Sequence, residues 1–581
     1  MQDSMAENIS AASGETKAEL VLKHASIVNV FTEEIEQGDI AINQGVIVGI
    51  GEYHGEIETE MEGRIVCPGF IDGHIHLESS MVSPAEFERI VLPHGTTTVI
   101  TDPHEIANVA GAVGIDYMLA VTEPLDLDVF FMLPSCVPST GLDESGSELT
   151  ARDLKGYYQS GWVLGLAEMM NSYGTVRAEG EILEKIQDAL DMGKLIDGHA
   201  PFLSGKELNA YITAGVGSDH ECAVFGEAVE KMRRGQWIMI REGTAAHNLD
   251  ALMPLFAEPY YRRSMLVTDD KHPGDLLRCG HIDYIIREAV KRGADPIKAI
   301  KMGSLHAAEY FGLKDRGAIA PRKLADITVL SDLDTFHVDS VYKNGRLAAK
   351  EGRSLKLKSG MIPEIYGDTK KRVFSSFHMP VLKEKDFHLP VTGQKQRVIC
   401  LTPHELLTAA KEYEPLSCEG YAPGVDTSRD IVKLAVVERH HNTGHIGLGF
   451  LGGYGLKKGA VASSIAHDSH NLIIAGVSDR DMAIAGNCVR ENQGGLAVVL
   501  NGQVIGKLAL PIAGLMGTVS MEQIDARLEE LKKNLRVMGI PDDIDPFMTL
   551  AFVSLPVIPE LRLNTYGLID VNQQKVIHVF Q

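Results

Sequence analysis

Residues 70–76 read FIDGHIH, an apolar run rich in β-forming residues that ends on two histidines. Seven further runs of this kind follow: TTTVITD (96–102), DVFFMLP (128–134), WVLGLAE (162–168), KLIDGHA (194–200), AGVGSDH (214–220), QWIMIRE (236–242) and RSMLVTDD (263–270). Helix-like stretches separate them, such as AEGEILEKIQDALDMG (178–193) and GEAVEKMRRG (226–235). Eight strands that alternate with helices over about 250 residues predict an α/β protein with a (β/α)8 TIM-type barrel. A doubly wound parallel sheet is the alternative that alternation alone leaves open.

The sequence on both sides of this barrel is rich in strands. ELVLKHASIVNVF and DIAINQGVIVGIGE precede it, and GAIAPRKLADITVL and DSVYKNGRLAAKEG follow it. We therefore predict a small composite β-sandwich domain, built from residues 1–66 and 316–375, with the barrel (67–315) inserted between its halves. Residues 355–395 are rich in Lys, Ser and Pro and look like a linker or an arm. Residues 376–581 are predicted to form an additional C-terminal α+β domain.

The composition is that of a folded chain with an acidic surface. Of the 581 residues, 44% are hydrophobic and 23% are charged, as in ordinary globular proteins. The formal net charge of −24 argues against nucleic acid and against an anionic membrane as partners. The seven Cys include no CxxC pair, and the N-terminus has neither a basic nor an apolar signal segment. We expect a cytoplasmic protein that forms a homo-oligomer (a dimer or higher).

Candidate metal ligands stand at the carboxyl ends of the predicted strands. His74 and His76 end the first strand two positions apart, so their side chains lie on one face. Four other strands end on Glu168, His199, His220 and Asp269. Each of these residues alone would more simply be a hydrogen-bonded core residue. Because the carboxyl ends of barrel strands meet at one mouth, the six together could hold two divalent cations that activate water.

Six motifs occur in a fixed order along the barrel: PGFIDGHIHLESSM (68–81), TDPHEIANV (101–109), GLAEMM (165–170), DGHAP (197–201), GSDHE (217–221) and VTDDKHPGDLL (267–277). They resemble the amidohydrolase superfamily, and more closely the bacterial adenine deaminases within it. The block GLKKGAVASSIAHDSHNLIIAGVSDRDM (455–482) resembles the extra domain of adenine deaminases specifically. The resemblance extends from the first strands to the end of the chain.

The resemblance implies that water converts adenine to hypoxanthine and ammonia at a binuclear Mn(II) or Fe(II) site. It implies that one metal is held by His74 and His76 and the other by His199 and His220. Glu168, where many relatives carry a carbamylated lysine, would bridge the metals. Asp269 would bind metal and accept the proton of the attacking water. Imidazole and carboxylate ligands without a thiolate suit Mn(II) or Fe(II) at least as well as Zn(II).

Deamination also requires groups that carry protons to the ring nitrogen N1 and to the leaving amine. The candidates are Asp102, His104 and Glu105 after the second strand, Glu242 after the seventh, and Asp270 beside Asp269. Each of them could instead be a loop residue that caps a helix. Glu242 and Asp270 are also candidates for contact with the substrate.

The segment His467-Asp468-Ser469-His470-Asn471 places five polar side chains before the apolar run LIIAGV. We predict that His467, Asp468 and His470 help to build the adenine pocket, because a purine needs a few convergent donors and acceptors in a dry site. The alternative is a polar loop that closes a domain.

Two other functions are compatible with the sequence. One is an amidohydrolase that opens a cyclic amide or removes an acetyl group, although such enzymes commonly carry Lys in place of Glu168. The other is a barrel that has lost catalysis and serves as an assembly scaffold.

Four further patterns are weaker signals. His76-Leu77-Glu78 matches half of the zinc nucleobase-deaminase signature, but the chain has no PCxxC. The GxGxxG at 447–452 follows HHNTGH rather than a predicted strand, which argues against a dinucleotide site. The histidines at 440, 441 and 445 indicate either a solvated loop or a further metal site. Cys222 is predicted to be a packing residue rather than a ligand.

Overall fold

The computed structural model describes residues 2–244, 246–355, 365, 367–402, 407–416 and 421–581. Residues 356–364 and 366 of the predicted linker, and Cys418, lie outside these residues. In the described part, no helix combines the length and the apolar character that crossing a membrane requires.

The chain begins with one helix and five strands that precede the barrel. These are α1 (Gln2–Ala12), β1 (Ala18–Asn29), β2 (Glu34–Asn43), β3 (Val46–Gly51), β4 (Gly55–Glu60) and β5 (Ile65–Pro68). The strand β1 pairs antiparallel with β2 and parallel with β4 and β5. Its buried positions include Val21, Leu22, Ile27 and Val28.

Eight parallel strands then form the barrel: β6 (Phe70–Ile75), β7 (Thr96–Thr101), β8 (Asp128–Leu133), β9 (Val163–Met169), β10 (Leu195–Gly198), β11 (Ser218–Asp219), β12 (Trp237–Arg241) and β13 (Ser264–Val267). They pair in parallel from β6 to β10 and from β11 to β13. The Gly217 N–H donates to Ile196 O across 2.9 Å, and a parallel bridge joins Ile75 to Asp269. The predicted (β/α)8 barrel is therefore confirmed, although β11 spans two residues where the sequence predicts seven.

Helices and 3₁₀ turns connect the barrel strands, and four more helices follow the last strand. The α-helices are α2 (Pro84–Val91), α3 (His104–Ala110), α4 (Ala112–Thr122), α5 (Ala151–Lys155), α6 (Ser172–Val176), α7 (Gly180–Asp191), α8 (Gly205–Thr213), α9 (Phe225–Arg233), α10 (Leu249–Leu252), α11 (Pro273–Arg278), α12 (Ile282–Lys291), α13 (Pro296–Met302) and α14 (Leu305–Tyr310). The 3₁₀ turns are Leu77–Ser80, Leu92–His94, Gly156–Gln159, Met253–Phe256 and Tyr260–Arg263. In α12, Ile282, Ile285, Ile286 and Ala289 are buried, the spacing of a helix with one core-facing side.

Four strands follow the barrel: β14 (Ile327–Leu330), β15 (Val338–Lys343), β16 (Arg346–Lys350) and β17 (Arg353–Ser354). The strand β14 pairs antiparallel with β5, so the strands before and after the barrel form one nine-stranded sheet. The boundaries predicted for this unit, and its description as a sandwich, remain predictions.

Buried charges join this sheet to the barrel. Asp128, at the start of β8, accepts hydrogen bonds from Arg316 (2.6 Å) and from Lys343 of β15 (2.7 Å). Lys343 also donates to Asp326 across 2.6 Å. The carboxylate of Asp128 therefore neutralises two cations that are nearly removed from solvent.

We predict that Asp128→Asn destabilises the protein by about 3 kcal/mol, because it leaves two buried cations short of a negative partner. The measurement is the urea midpoint of unfolding. Asp334→Asn is the control, since Asp334 is exposed. An unchanged midpoint in Asp128→Asn would show that the cluster does not stabilise the fold.

The remaining described chain is a mixed α and β region. It contains α15 (Gly367–Phe374), a 3₁₀ turn (Glu384–Phe387), β18 (Gln396–Leu401), β19 (Thr408–Tyr413), β20 (Ile431–Val437), β21 (Ile446–Gly452), β22 (Ala460–Ser463), β23 (Leu472–Gly476), α16 (Asp479–Glu491), β24 (Gly495–Leu500), β25 (Gln503–Ala509), α17 (Met521–Val537), α18 (Pro546–Val553), β26 (Leu561–Asn564), β27 (Gly567–Asp570) and β28 (Lys575–Ile577). The strands β18 to β25 form one sheet and β26 to β28 another. Residues of the first sheet and of the barrel share one hydrophobic core.

Candidate metal centre

Glu168 lies at the centre of a buried cluster at the barrel mouth. Its Oε1 atom is 3.3 Å from His76 Nε2 and 4.0 Å from His74 Nε2. Its Oε2 atom is 2.6 Å from His199 Nδ1 and 3.2 Å from His220 Nε2. One carboxylate oxygen thus faces each histidine pair, which is the arrangement that a bridging ligand requires.

Asp269 lies on the other side of His74 and His76. Its Oδ1 atom is 3.2 Å from His76 Nε2 and 3.6 Å from His74 Nε2. Its Oδ2 atom accepts a hydrogen bond from Arg241 Nη1 across 2.8 Å. The Asp269 N–H donates to His74 O across 2.9 Å, so the backbone of β6 holds this carboxylate beside the two histidines.

Buried hydrogen bonds fix the strands that present these ligands. Asp72 of β6 accepts from the Thr268 amide (3.1 Å) and hydroxyl (2.5 Å), which ties β6 to the end of β13. His76 Nδ1 lies 3.0 Å from Asp102 O, and this contact turns its Nε2 toward the cluster. At Gly198 a Cβ would lie 2.3 Å from Ser218 O, so only glycine lets β10 approach β11 before His199.

The carboxylates of the cluster remain ionised in spite of burial. Burial raises the pKa of Asp269, but the neighbouring imidazoles of His74 and His76 and the charge of Arg241 outweigh this effect, so its pKa lies well below the usual range. Burial opposes ionisation of Glu168 too, and the imidazoles of His220 and His199 lower its pKa well below normal. Conversely, burial lowers the pKa of His220, but Glu168 raises it to about 10. A metal ion must displace such protons, because imidazole binds metal in its neutral form.

The three candidate proton carriers after β7 lie beside this cluster. His104 Nδ1 is 2.8 Å from Asp102 Oδ2 and 3.4 Å from Glu168 Oε1. Its Nε2 is 3.2 Å from Glu105 Oε1. The imidazole of His104 therefore lies between the Glu168 carboxylate and Glu105, and both ring nitrogens can exchange a proton with a carboxylate.

The C-terminal region reaches this part of the barrel through the predicted polar segment. His467 Nδ1 is 2.7 Å from Glu105 Oε1, and His470 Nε2 contacts Glu105 Oε2. Burial opposes ionisation of Glu105, but His467, His470 and His104 lower its pKa well below the usual range. Burial alone would lower the pKa of His467, and Glu105 raises it to about 9.

The other predicted substrate contacts have different surroundings. Asp270 accepts a hydrogen bond from the Ser79 hydroxyl and lines a cavity with Glu105, His467 and His470. Asp468 is buried, and burial raises its pKa to about 6. Glu242 contacts His247 Nδ1 (3.0 Å) and the Leu249 amide (3.3 Å) rather than a residue of the cluster. The structure thus brings Asp270 toward the candidate site and gives Glu242 local partners.

The donor set fits divalent cations. His74 Nε2 is buried and has no hydrogen-bond partner within the described chain, although Asp269 and Glu168 oxygens lie 3.6 and 4.0 Å away. These separations are too long for hydrogen bonds, and they suit ligands that share an ion. Five groups of described side chains could each hold a metal ion: His76, Asp102, His104 and Glu168; His74, His76 and Asp269; His74, Glu168 and His220; His199, His220 and Glu221; and Glu105, His467 and His470.

Comparison with known proteins identifies the family. The sequence matches the amidohydrolase family over residues 65–348 and the adenine deaminase C-terminal domain over residues 405–575. It is 46% identical over 571 residues to adenine deaminase 2 of Carboxydothermus hydrogenoformans, covering 98% of each chain. It is 45% identical over 573 residues to the adenine deaminase of Desulfatibacillum aliphaticivorans, covering 99% of each. The chain belongs to the adenine deaminase family.

Membership in the adenine deaminase family implies a divalent metal centre in the barrel. It confirms the family resemblance inferred from the sequence motifs. Both parts of this family pattern are present, because the matched amidohydrolase region contains β6 to β13 and the matched C-terminal domain contains His467 and His470.

Sequence reasoning missed two residues of the candidate site. Glu221 Oε1 lies 3.5 Å from both His199 Nδ1 and His220 Nε2, and its Oε2 accepts a hydrogen bond from Arg241 Nη2 across 2.9 Å. Arg241 thus links Glu221 to Asp269. Both residues occur in motifs at strand ends, Glu221 directly after His220 and Arg241 at the last position of β12, and that position is the signal that could have found them.

Three of the weaker sequence patterns can be located in the structure. The glycines of 447–452 lie inside β21, which is antiparallel to β20, so they do not form a strand-to-helix phosphate turn. The solvated-loop prediction is wrong for His440, which is buried and contacts Ser469 O at 2.8 Å, because the loop packs against the polar segment. His441 and His445 contact Ser145 O and Glu144, and no possible metal group is found there among the described residues. Cys222 is fully buried in the core.

Proposed function

We propose that this protein hydrolyses adenine to hypoxanthine and ammonia at two divalent cations bound at the barrel mouth. The observation that carries this proposal is Glu168, whose two oxygens face two histidine pairs. Family membership supports adenine as the substrate, because relatives named adenine deaminase match nearly the whole chain. The presence of Glu168 and of the C-terminal domain disfavours the cyclic-amide and acetyl-removing alternatives.

The proposed ligands form two sets, one for each cation, and Glu168 belongs to both. His74 and His76 would hold one cation and His199 and His220 the other, with Glu168 between them and Asp269 on the first. When bound, divalent cations lower the pKa of water and polarise the bond that is attacked. The absence of thiolates among these ligands supports Mn(II) or Fe(II), with Zn(II) less favoured.

Asp269 is proposed to accept the proton of the attacking water. Its ionised carboxylate is held by Arg241 through Oδ2, which leaves Oδ1 directed at His74 and His76. The water oxygen bonds to C6 of adenine and becomes the carbonyl oxygen of hypoxanthine. Of the two protons of water, one reaches N1 and the other passes through Asp269 to the amine, which departs as ammonia when its bond to C6 breaks. A carboxylate fixed at this place can hold the proton between these steps.

Glu105, whose carboxylate is ionised at rest, is proposed to receive a proton of the attacking water by way of His104 and to deliver it to N1. The path from the metal centre to Glu105 runs through His104, whose ring nitrogens lie 3.4 Å from Glu168 Oε1 and 3.2 Å from Glu105 Oε1. Asp102 orients this imidazole from 2.8 Å. His467 and His470 fix the Glu105 carboxylate from the opposite side.

The test of the function is ammonia release from adenine in the presence of Mn(II), with hypoxanthine identified as the second product. Equal amounts of both products are expected. If adenine yields neither product, and the protein instead hydrolyses a cyclic amide or an N-acetyl substrate, the nearest alternative function replaces this proposal.

We predict that Glu168→Gln lowers the bound metal below two equivalents per chain after dialysis. A carboxylate supplies a negative oxygen to each ion, whereas an amide offers one neutral oxygen. Glu88→Gln is the matched control, because Glu88 is a buried glutamate whose Oε2 accepts the Leu127 amide across 2.8 Å. Two full equivalents in Glu168→Gln would remove Glu168 from the ligand set.

We predict that His470→Ala lowers kcat/KM for adenine about 10- to 100-fold while both metals stay bound. The imidazole holds Glu105 and belongs to the wall of the cavity beside it. The control is His441→Ala, which removes a largely exposed imidazole from the same region. Wild-type kinetics in His470→Ala would show that the C-terminal domain does not shape the site.

The oligomeric state, the cytoplasmic location and the domain boundaries at residues 66, 315 and 375 remain predictions from the sequence.

A further inference from the structure

A small cavity between the barrel and the C-terminal region adjoins the candidate metal centre. Its polar wall includes Asp270, the neighbour of Asp269, and Glu105, which His104 connects to Glu168. Its apolar wall is formed by Met81, Ile465, Leu515 and Met548. The cavity measures about 10 Å³, which is smaller than a purine, so a purine can occupy it only if the flexible methionine side chains of this wall move aside.

The cavity continues into a larger cleft. His272 and Met548 line both spaces, and the cleft is bordered by Thr244 and Arg278 of the barrel and by Asp525 and Lys532 of α17. A purine entering from the cleft would therefore pass between the barrel and the C-terminal region. The edge of the purine that enters first would meet Glu105, and the opposite edge would lie against the other residues of the cavity wall.

Three carboxylates line the cavity, and they differ in their partners. The two oxygens of Glu105 contact His467 and His470, and Asp270 Oδ1 accepts the Ser79 hydroxyl. Glu78 accepts the Ile106 amide with Oε1 across 3.2 Å. Its Oε2 is buried and has no hydrogen-bond partner in the described part of the chain. A buried acceptor of this kind is costly to leave unpaired, which indicates that a ligand supplies the missing donor.

Adenine carries such a donor on the edge opposite its reacting amine. The reacting edge presents N1 and the 6-amine, and in the 9H tautomer the imidazole ring carries its N–H at N9, on the far side of the base. With the reacting edge at Glu105 and the metal centre, the imidazole edge faces another part of the wall. A carboxylate oxygen accepts a hydrogen bond from this N–H, and it forms no such bond with a purine that lacks the N–H.

We propose that Glu78 is a specificity-determining residue, which accepts the imidazole N–H of the free base and thereby excludes purines substituted at N9, such as nucleosides. This inference rests on the proposed function. A site built around a hydrogen bond to the ligand strongly disfavours an analogue without that donor, since the buried acceptor is then left unpaired.

The test compares two ligands that carry no amine and so cannot be deaminated. Binding of purine and of 9-methylpurine to the manganese-loaded enzyme is measured by equilibrium dialysis. In the wild type, 9-methylpurine should bind at least about 10-fold more weakly than purine. This comparison needs no variant, and equal affinities would overturn the proposal.

Glu78→Gln then assigns the discrimination to this residue. The amide oxygen can still accept the Ile106 amide, so the fold is preserved, but the amide nitrogen cannot accept an N–H. Purine binding should fall about 10- to 100-fold, 9-methylpurine binding should change less than about 3-fold, and the metal content should stay unchanged. Glu88→Gln should leave both affinities at wild-type values.

Two outcomes separate this inference from the function on which it rests. If Glu78→Gln weakens both ligands by the same factor, or weakens neither, Glu78 is not the N–H acceptor, and the proposed function stands as long as the wild type deaminates adenine. If the wild-type enzyme forms no hypoxanthine from adenine, the proposed function fails, and with it the inference.

Discussion

Replacing His74, His76 or Asp269 by Ala is expected to lower deamination by about 10³-fold or more, because each change removes a ligand from the centre that activates water. His74 and His76 lie within 4.0 Å of both Glu168 and Asp269, so each substitution removes a side chain from the same cluster. The measurement is hypoxanthine formation from adenine, with metal content determined on the same samples. Unfolding curves should show that the variants remain folded.

The control for this series is His337→Ala, which removes an exposed histidine. Its turnover and metal content should equal those of the wild type. A variant at His74, His76 or Asp269 that keeps near-normal turnover with reduced metal content would exclude the residue from the catalytic centre.

Glu105→Gln is expected to lower kcat by about 10²- to 10⁴-fold, the range for loss of a positioned acid or base. The amide has the shape of the carboxylate and can still meet His467, but it cannot carry a proton. The metal ligands are untouched, so two equivalents of metal should remain. The measurement is the steady-state rate with adenine, with KM changing much less than kcat.

Glu105→Gln and Glu78→Gln are distinguished by their substrates. Glu105→Gln should lower the rates of deamination of adenine and of 9-methyladenine by similar factors, since both substrates need a proton at N1. Glu78→Gln should lower the rate of adenine deamination more than that of 9-methyladenine, because 9-methyladenine has no imidazole N–H that could bind Glu78. A wild-type kcat in Glu105→Gln would assign proton transfer to another group. His104, His467 and His470 contact Glu105, and Asp270 lines the same cavity.

The barrel and the clustering of the candidate ligand residues were predictable from the sequence because both follow a local rule. Apolar runs mark the buried strands, and polar residues at their carboxyl ends meet wherever parallel strands close into a barrel. His74, Glu168 and Asp269 are therefore neighbours in the structure although the sequence separates them by about a hundred residues each.

The contacts between the barrel and the C-terminal region were not predictable in detail. The pairing of Glu105 with His467 and His470 joins residues more than 360 positions apart, and no periodicity specifies such a partner. The polar segment itself signalled a role in the site, but its partner could be learned only from the structure. Glu78 appeared in the sequence only as part of a misleading HxE pattern, and its unpaired Oε2 became visible once α3 was placed beside it.

The central claim is that two metal ions at Glu168 make this chain an adenine deaminase. Its most direct test is to titrate the metal-free protein with Mn(II) and to follow the conversion of adenine to hypoxanthine. We predict no turnover without metal and a plateau of activity at two equivalents of Mn(II) per chain. Full turnover in the presence of a chelator, a plateau at one equivalent, or no hypoxanthine at any metal content would contradict the account.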